Sequence, residues 1–523
     1  MKLHVLPILV LFPFFSKIKA QELYYAELRP YLDKQSEPFC FGVASGDPLP
    51  DGVVIWTKLF SENTDNQDVS WAVATDTAMQ HVVQSGILTT DVASAFTVKV
   101  DVKNLSPGTT YFYRFKHRDR FSPVGRTKTA PAGDPSLLRF AVVSCADFQS
   151  GYYNAFGHIA RRNDLDAVVH LGDYIYEYGS WRQGRKRMLK RQYRHHIPDK
   201  TCTTLEDYRT RYAQYRTDAQ LQEAHRLHPF IVIWDDHEVA NNSNVNGTEG
   251  NPNGGEAWEQ RKAVGRQAYF EWLPIRENPE RSIIRQFTYG SLAEMWMLDG
   301  RLEGRSPQAR GKDDPSLQSP ERHMLGSKQT EWLLAGMKNS SARWKIIGNQ
   351  VIFSPMNDSK VFDRRPSIAM DRWDGYPTER KRIFDFFYQN GLKNIVVITG
   401  DVHTSWAFEL TGDPYNAAAY DRKTGKGVIG AEFVTPGVTS FNFDEVVPKI
   451  IVAEAKRRFK KKKNNPHLRY LDLTRHGYMT LTLTPERAQA DWFFIKRKDR
   501  VDDRVKNKAS RYLPFNGQQV LKK

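Results

Sequence analysis

The sequence predicts an α/β domain preceded by an all-β sandwich domain, and three observations lead to this prediction. Short alternating segments separated by turn residues run from about residue 39 to residue 130, which is typical of a small antiparallel sandwich. Farther along the chain, apolar runs alternate with helix-like segments, as they do in a largely parallel sheet. Four of these runs end in metal-ligand side chains, and open α/β sheets bind ligands at the edge where parallel strands end.

Residues 1–20 have the pattern of a secretory signal peptide, with Lys2, an apolar stretch and Ala20 as a small cleavage residue. The stretch is too short and too interrupted by proline to be a good membrane span, and no later segment is long and apolar enough. No pair of arginines precedes it, which favours general secretion. We therefore expect an exported protein, periplasmic or extracellular, that has no stable membrane span.

The sandwich is predicted to cover residues 38–131. Turn sequences such as DPLPDG and NLSPGT separate or bound its strand-like segments, which are GVVIWTKL, VSWAVAT, FTVKVDV and TTYFYRFKH. The composition of PAGDPS, which follows, is that of a linker between domains.

The α/β domain is predicted to cover residues 137–490. An amphipathic stretch, residues 205–227, precedes the run PFIVIW, and the segment TERKRIFDFFYQNG precedes NIVVITGD. Strand–helix–strand units of this kind imply a largely parallel sheet. Residues 491–523 are basic and polar, with RYLPF as their apolar patch, and we expect a carboxyl-terminal tail.

The formal net charge is +16, and much of the positive charge lies in residues 182–196 and 456–465. The second segment is nearly all lysine and arginine with little aromatic content, which favours a solvated helix end or loop over recognition of bases. The first segment follows a metal-ligand cluster, where positive charge would raise the local concentration of an anionic substrate. A solvated surface explains the first segment equally well.

Two of the four strand ends carry ligand types of unlike chemistry. FAVVS ends at Cys145, and AVVHL is followed by Gly172, Asp173 and Tyr176. The carboxylate of Asp173 has two oxygens and can bridge two cations about 3.5–4 Å apart. A thiolate and a phenolate form only on deprotonation, which a strongly Lewis-acidic ion drives. This ligand set indicates ferric iron more than zinc, although each residue alone also fits a buried thiol or a packed aromatic ring.

The chain has three cysteines, which are too few for a disulfide scaffold. If Cys145 binds a metal, Cys40 and Cys202 remain as a candidate disulfide pair, and the sequence leaves that pairing open.

The third strand end is the densest, because FIVIW runs into Asp235, Asp236, His237 and Glu238. Adjacent carboxylates repel each other, and a nearby cation is the simplest compensation. Neighbouring side chains at a strand end point in opposite directions, so only one of the two aspartates need be a ligand. His237 is a candidate to hold a phosphoryl group or to protonate a leaving oxygen.

The fourth strand end, NIVVIT, runs into Gly400, Asp401, Val402 and His403. Asp401 and His403 stand at positions i and i+2 and share a face, as expected for ligands to neighbouring ions. An aspartate and a histidine beside so apolar a run need a partner, because burying a polar group alone is costly.

The ordered series of segments resembles the PhoD-type alkaline phosphatases of the calcineurin-like metallophosphatase superfamily. The metal-loop segments that carry the resemblance are SCADF, GDYIYE, WDDHE, IGNQV and GDVHTS. Further similar segments outside the metal loops are FGVASGDPLPDGVVIWTKL, DRWDGYPTER, FVTPGVTS and HGYM. The similarity spans roughly residues 38–490.

The resemblance implies a four-layer α/β/β/α metallophosphatase domain that hydrolyses phosphomonoesters and phosphodiesters with ferric iron and calcium. By position, the iron ligands would be Cys145, Asp173, Tyr176 and His403. Calcium would be bound by Asp173, which bridges the ions, together with Asp236 and Asp401. Carboxylates suit a hard ion such as calcium. Asn349 stands near the place of a superfamily histidine and offers an oxygen at best, acting directly or through water.

Two alternatives remain open from the sequence. The basic segments favour a dedicated nuclease or a teichoic-acid phosphodiesterase, whose substrate is a polyanion. The sandwich, a common interaction module, favours a secreted binding protein whose metal site is inactive. Catalytic roles are expected for Asp173 and His237, and the sequence leaves the oligomeric state open.

Overall fold

A computed structural model describes residues 27–61, 64–180, 192–248, 251, 253–358 and 370–522. The predicted signal peptide lies outside these residues, and so does most of the basic segment 182–196. Within the described ranges, the structure contains no helix with the length and apolar character needed to cross a membrane.

Strands occur along the whole described part of the chain, from residue 43 to residue 522. They are β1 (Val43–Leu49), β2 (Gly52–Lys58), β3 (Gln67–Ala74), β4 (Val82–Thr90), β5 (Thr97–Val102), β6 (Thr110–His117), β7 (Arg120–Phe121), β8 (Gly125–Lys128), β9 (Leu138–Val143), β10 (Ala167–Leu171), β11 (Pro229–Ile233), β12 (Arg285–Tyr289), β13 (Ala293–Met297), β14 (Trp344–Asn349), β15 (Ile395–Thr399), β16 (Ser405–Leu410), β17 (Gly430–Val434), β18 (Leu468–Asp472), β19 (Gly477–Leu483), β20 (Arg487–Ile495), β21 (Val505–Pro514) and β22 (Leu521–Lys522).

Helices in the described residues connect or flank these strands. They are α1 (Asn154–Ala160), α2 (Leu205–Tyr215), α3 (Ala219–Leu227), α4 (Gly255–Trp272), α5 (Ser327–Asn339), α6 (Pro377–Gln389), α7 (Phe443–Val446) and α8 (Lys449–Phe459). Short 3₁₀ helices are Arg29–Tyr31, Lys34–Ser36, Pro315–Gln318 and Trp373–Gly375.

The amphipathic stretch of residues 205–227 forms two helices. Thr204 begins α2 with a capping box, in which its hydroxyl accepts from the amide of Asp207 and Asp207 accepts from the amide of Thr204. Asp218 begins α3, because its carboxylate accepts from the amides of Gln220 and Leu221. This second cap explains why the stretch forms two helices rather than one.

The larger sheet has ten strands in the order β22-β21-β20-β19-β9-β10-β11-β1-β2-β5. Its central strands β9, β10 and β11 are parallel, and Val168 pairs with both Ala141 and Phe230. Strands β10 and β11 are buried along their whole length, which is typical of parallel strands covered on both faces. Their carboxyl ends therefore lie at the same edge of the sheet.

The second sheet has seven strands in the order β12-β13-β14-β15-β17-β16-β18. Strands β13, β14, β15 and β17 are parallel to one another. Its residues Val396 and Phe433 belong to the same apolar cluster as Phe140 and Val168 of the larger sheet. Val397, the neighbour of Val396, belongs to a second cluster that includes Leu333 and Phe384 of α5 and α6. The strand β15 is thus buried on both faces.

The amino-terminal region is all-β, as predicted, but it divides between two sheets. Strands β3, β4, β6, β7 and β8 form a five-stranded sheet, whereas β1, β2 and β5 complete the ten-stranded sheet. β1 pairs in parallel with β11, with Ser45 opposite Pro229. Apolar residues from both groups of strands, such as Ile55 and Phe115, share one cluster. The region therefore packs as a sandwich and also extends the sheet that carries the metal-ligand loops.

The predicted tail, residues 491–523, is largely part of the ten-stranded sheet. The predicted boundary at residue 490 lies inside β20, and β21 and β22 continue the sheet beyond it. Leu513 and Val520 are buried. Most of β21 is only half-buried or exposed, which explains why its sequence is polar for a strand.

The candidate disulfide between Cys40 and Cys202 is absent, because all three cysteines are free and buried. Cys40 Sγ lies 3.7 Å from the carbonyl oxygen of Asp33, and Cys202 Sγ lies 3.6 Å from that of Asp207. Each thiol thus has its own backbone acceptor. Counting thiols could not reveal this, since pairing depends on where the chain places them.

We expect Leu513→Ala to lower the free energy of unfolding by about 2–4 kcal/mol, because it leaves a cavity beneath β21. The exposed Val501, in the loop before β21, is the control, and Val501→Ala should change that free energy by less than about 0.5 kcal/mol. Denaturant unfolding of both variants measures the difference. Equal effects would show that residues 505–522 do not fold with the sheet.

Candidate metal centre

The four predicted ligand clusters lie at one place in the structure, where strands of both sheets end. The sulfur of Cys145, a carboxylate oxygen of Asp173 and an imidazole nitrogen of His403 lie within 4.8 Å of one another. Ligand atoms of Asp173, Asp236 and His237 form a second group with the same spacing. Asp173 belongs to both groups, as a bridging carboxylate would.

The backbone at these strand ends is unusual. Cys145, Asp173, Asp401 and His403 have φ values of 60°, 56°, 60° and 60°, in the left-handed region that non-glycine residues rarely adopt. Each such residue costs of order 1–3 kcal/mol and persists only where surrounding structure holds it. The strain thus falls at four of the predicted ligands.

Gly172 has the closest backbone approach at the site. Its φ is +98°, and a Cβ atom there would overlap the Cβ and amide nitrogen of Asp235. Only glycine allows the loops after β10 and β11 to approach this closely. Gly400 is similarly placed after β15, where a Cβ would lie 2.9 Å from Ser144 Cβ.

The first group of ligand atoms is surrounded by hydrogen-bond partners that orient it. The Tyr176 hydroxyl donates to Asp173 Oδ2 at 3.0 Å and lies 3.3 Å from His403 Nε2. The hydroxyl oxygen of Ser440 lies 2.6 Å from the oxygen of Tyr176. His403 Nδ1 lies 2.9 Å from the carbonyl oxygen of Phe441, which fixes the ring so that Nε2 faces the group.

Burial disfavours the charged forms of the residues in this group, and their pKa values shift accordingly. Burial, and then the Asp173 carboxylate, raises the pKa of Cys145 and of Tyr176 well above their usual ranges. Burial lowers the pKa of His403 to about 4, so its imidazole is neutral at pH 7 and can act as a ligand. The thiol and the phenol need a nearby positive charge to ionise, and this donor set therefore fits a metal ion.

Asp236 of the second group also belongs to a cluster of carboxylates around buried guanidiniums. Arg301 lies 2.8 Å from Asp371, 3.2 Å from Asp401 and 3.9 Å from Asp236, and it also contacts Asp235. Burial, and then the Asp371 carboxylate, raises the pKa of Asp401 to about 7. Arg305 also contacts Asp371, so two guanidiniums face four aspartates, and their formal charges leave net negative charge buried here. A divalent, oxygen-preferring cation fits this excess charge.

His237 belongs to the second group and lies beside the first. Its Nδ1 is 2.7 Å from Glu177 Oε2, and its ring centroid is 4.2 Å from that of Tyr176. Its amide donates to Asp173 at 3.4 Å. Burial lowers the pKa of His237, but the carboxylates of Asp236 and Glu177 raise it by more, and the net shift is well above its usual value.

Glu238 supports the site rather than joining either ligand group. Its Oε2 accepts from the amides of Asp173 at 3.0 Å and Asp235 at 2.8 Å, and its Oε1 accepts from the amide of Tyr174. One carboxylate thus fixes the loops that follow β10 and β11. The sequence placed Glu238 in a ligand cluster but showed no sign of this role.

Arg301 was also missed by the sequence analysis. It follows β13 in the sequence AEMWMLDGR, an apolar run that ends in charged residues like the four runs already identified. That pattern could have identified it. Asp371, its partner, lies in the segment DRWDGYPTER that carried the resemblance.

Asn349, at the end of β14, is buried near the site and is engaged by protein groups. Its Oδ1 accepts from the indole nitrogen of Trp373 at 3.2 Å, and its Nδ2 donates to the carbonyl oxygen of Val351. A carbonyl-type oxygen has a second lone pair, so a ligand role for Asn349 stays a prediction.

The close approach at Gly172 gives a prediction with a matched control. Gly391 also has a positive φ, but a Cβ there would meet nothing within 4 Å. We expect Gly391→Ala to cost about 1 kcal/mol of unfolding free energy, and Gly172→Ala to cost about 2–4 kcal/mol because it also forces two loops apart. Elemental analysis should show metal lost from the Gly172→Ala protein alone. Equal stability and equal metal content in both would contradict the crowding at Gly172.

Comparison with known proteins gives the family. Residues 140–492 match the PhoD-like phosphatase family, and residues 26–131 match the PhoD-like phosphatase N-terminal domain. Alkaline phosphatase D of Bacillus subtilis (strain 168) is 38% identical over 483 residues, which cover 87% of this chain and 77% of that protein. A solved structure described as "Structure of PhoD" is 34% identical and has a TM-score of 0.82, covering 94% of this chain and 93% of that one. These findings confirm the resemblance, and the chain belongs to the PhoD-like phosphatase family.

Proposed function

We propose that this protein is an exported, metal-dependent phosphatase that hydrolyses both phosphomonoesters and phosphodiesters. The observation that carries the proposal is the position of Asp173, whose carboxylate belongs to two adjoining groups of ligand atoms. Two cations that share a carboxylate are a recurrent device for phosphoryl transfer. Membership of a phosphatase family agrees with this chemistry.

The donor types support different ions in the two groups. Thiolate, phenolate, imidazole and one carboxylate suit ferric iron, which would be held by Cys145, Asp173, Tyr176 and His403. Carboxylates suit calcium, which would be held by Asp173, Asp236 and Asp401. Asn349 is proposed as a further oxygen ligand to the calcium, directly or through water.

When bound, such a pair of cations holds phosphoryl oxygens, offsets the charge that grows in the transition state and lowers the pKa of water. The chain's own residues then orient the reactants. Glu177 fixes the His237 ring through Nδ1, which leaves Nε2 directed toward the hydroxyl of Tyr178 at 3.4 Å. From this position His237 Nε2 would donate to a phosphoryl oxygen. Protonation of the leaving oxygen is a second candidate role, because the carboxylates of Asp236 and Glu177 raise the pKa of His237.

Several buried groups hold the reacting geometry. Glu238 fixes the backbone after β10 and β11, and Arg301 fixes the carboxylates of Asp235 and Asp401. Glu238 and Arg301 contribute without touching the substrate, because they hold the ligand oxygens in place before the substrate binds.

We also propose the four-layer arrangement α/β/β/α for the catalytic part. Its support is the separate packing of the two faces of β15, one within the cluster shared with the larger sheet and the other with α5 and α6. Export by general secretion into the periplasm or the medium rests on the pattern of residues 1–20.

The excess of lysine and arginine favours a second candidate, a nuclease or a teichoic-acid phosphodiesterase. Elemental analysis of the purified protein, with an aromatic phosphomonoester and a phosphodiester assayed at low and high salt, separates the candidates. Turnover of both substrates with little dependence on salt supports the proposal. Turnover of a polyanionic diester alone, lost at high salt, supports the second candidate, and bound metal without turnover supports a binding protein.

Asp173→Asn should lower phosphatase activity by about 1,000-fold or more, because it removes a charged oxygen from both ligand groups. Elemental analysis should show loss of metal in parallel. Asp76→Asn, at an aspartate in an exposed turn, is the control and should retain both activity and metal. Full activity in the Asp173→Asn protein would rule out the shared site.

His237→Ala should lower activity by about 100-fold while leaving the metal content unchanged, because His237 is proposed to contact the phosphoryl group rather than the ions. The exposed His81 supplies the control variant, His81→Ala, which should match the unmodified protein. Loss of both metals from the His237→Ala protein would instead assign His237 to the metal ligands.

A further inference from the structure

The exposed surface on and around α8, away from the candidate metal centre, combines apolar and basic side chains. Ile450 is 79% exposed, Ile451 is 52% exposed, and Val446, which precedes the helix, is 47% exposed. The same helix continues into the basic segment 456–465. We call the exposed side of residues 446–463 the α8 surface. Large exposed apolar side chains beside a dense group of cations are unusual for a surface that contacts water alone.

The packing of α8 does not require the exposed isoleucines. Val452, Ala455 and Phe459 are the buried residues of the helix, at positions i, i+3 and i+7, and form one stripe. The ring of Phe459 meets that of Trp406 edge-on at 5.0 Å between centroids. Ile450 lies on the face of the helix opposite this stripe, since successive residues turn by about 100°. Hydrophobic side chains at such positions are accessible to a partner outside the chain.

The charge of the α8 surface is strongly positive. Residues 449–463 are rich in lysine and arginine and contain a single acidic residue, Glu454. Glu454 pairs with both Arg457 and Arg458 at 2.6 Å, and Asp472 lies 4.0 Å from Lys456. These acids balance only part of the positive charge, which continues through Lys460–463.

We propose that the α8 surface docks on the face of a lipid bilayer that contains anionic lipids. A helix that lies in the interface buries apolar side chains below the headgroups, while lysine and arginine contact the negative lipids. This chemistry uses both features of the surface. A nucleic acid or another polyanion would use only the lysines and arginines, and a second copy of this chain would bring like charges together.

The α8 surface and the proposed metal centre are connected through the packing of the fold. Val402, between Asp401 and His403, packs against the cluster that contains the buried stripe of α8. The carbonyl of Phe441, the acceptor for His403, lies just before α7 on the way into α8. The inference concerns binding alone and needs no metal ligand, so its failure and the failure of the proposed function are distinguishable.

Vesicle flotation of the protein without its predicted signal peptide, residues 1–20, tests the proposal. The probes are vesicles of phosphatidylcholine alone and of phosphatidylcholine mixed in equal parts with phosphatidylglycerol. We expect the protein to float with the anionic vesicles, to remain unbound with the neutral ones, and to be released by salt, which screens the charged contacts. Absence of binding to the anionic vesicles would overturn the proposal.

Paired variants identify the surface responsible. The double variant Ile450→Ser and Ile451→Ser should lower vesicle binding by roughly tenfold or more, because it removes the side chains that enter the bilayer. Ile87→Ser is the matched control, since Ile87 is 71% exposed on β4, in another part of the molecule. The predicted signal peptide, residues 1–20, is absent from all of these proteins and cannot cause a difference. Equal binding by the double variant and the control would overturn the proposal.

An environment-sensitive fluorophore gives an independent measurement. The native cysteines are all buried, so a label attached to Ile450→Cys reports from that position. Its emission should shift to the blue on addition of anionic vesicles, whereas a label at Ile87→Cys should not respond. Binding of the labelled protein to anionic vesicles without any shift at position 450, when that binding is lost on replacing Lys460–463 with glutamine, would indicate a polyanion-binding surface and overturn insertion into lipid.

Discussion

The burial of Arg301 among aspartates is the constraint on which the centre of the structure depends. Its guanidinium contacts Asp235 at the end of β11, Asp401 at the end of β15, and Asp371. β11 belongs to the ten-stranded sheet and β15 to the seven-stranded sheet, so one side chain ties the edges of both. Removal of a partner from a buried ion pair leaves an uncompensated charge and typically costs about 3–5 kcal/mol. The ion pairs of Arg301 therefore stabilise the contact between the two sheets at this edge.

Around this guanidinium the two ligand groups differ in chemistry, and their differing environments follow from the fold. Cys145, Tyr176 and His403 converge where β9, β10 and β15 end, with backbone and hydroxyl groups of residues 440–441 around them. The carboxylates face Arg301 instead. Asp173 stands between the groups because the crowding at Gly172 turns its backbone tightly at the end of β10. The carboxylate of Asp173 thus lies between a group with sulfur and imidazole donors and a group that includes the Asp236 carboxylate.

Much of this centre could be predicted from the sequence, because apolar runs that end in ligand residues are a local signal and parallel strands place their ends together. The pairing of β1 with β11 could not be predicted, since it joins residues far apart in the chain. Glu238 illustrates another limit. It looks like a ligand in sequence, yet it accepts backbone amides from two loops, a role that depends on their separation in space. The strand β21 was missed because its sequence is polar, and it is polar because the strand lies near the edge of the sheet, covered only by the two-residue strand β22, where burial is incomplete.

The strained backbone at the strand ends shows how the rest of the fold holds the centre. His403, with φ of 60°, has its carbonyl bound by the amide of Gly437 at 3.1 Å, and the carbonyl of Cys145 accepts from Ser440 Oγ at 2.8 Å. Residues 437–441 thus fix two ligands through the backbone, and the same segment leads into α7 and α8. The geometry of the first ligand group therefore depends on how this segment is anchored, as well as on the sheet edge from which the ligands arise. Strain of this kind persists only where such contacts over-determine it.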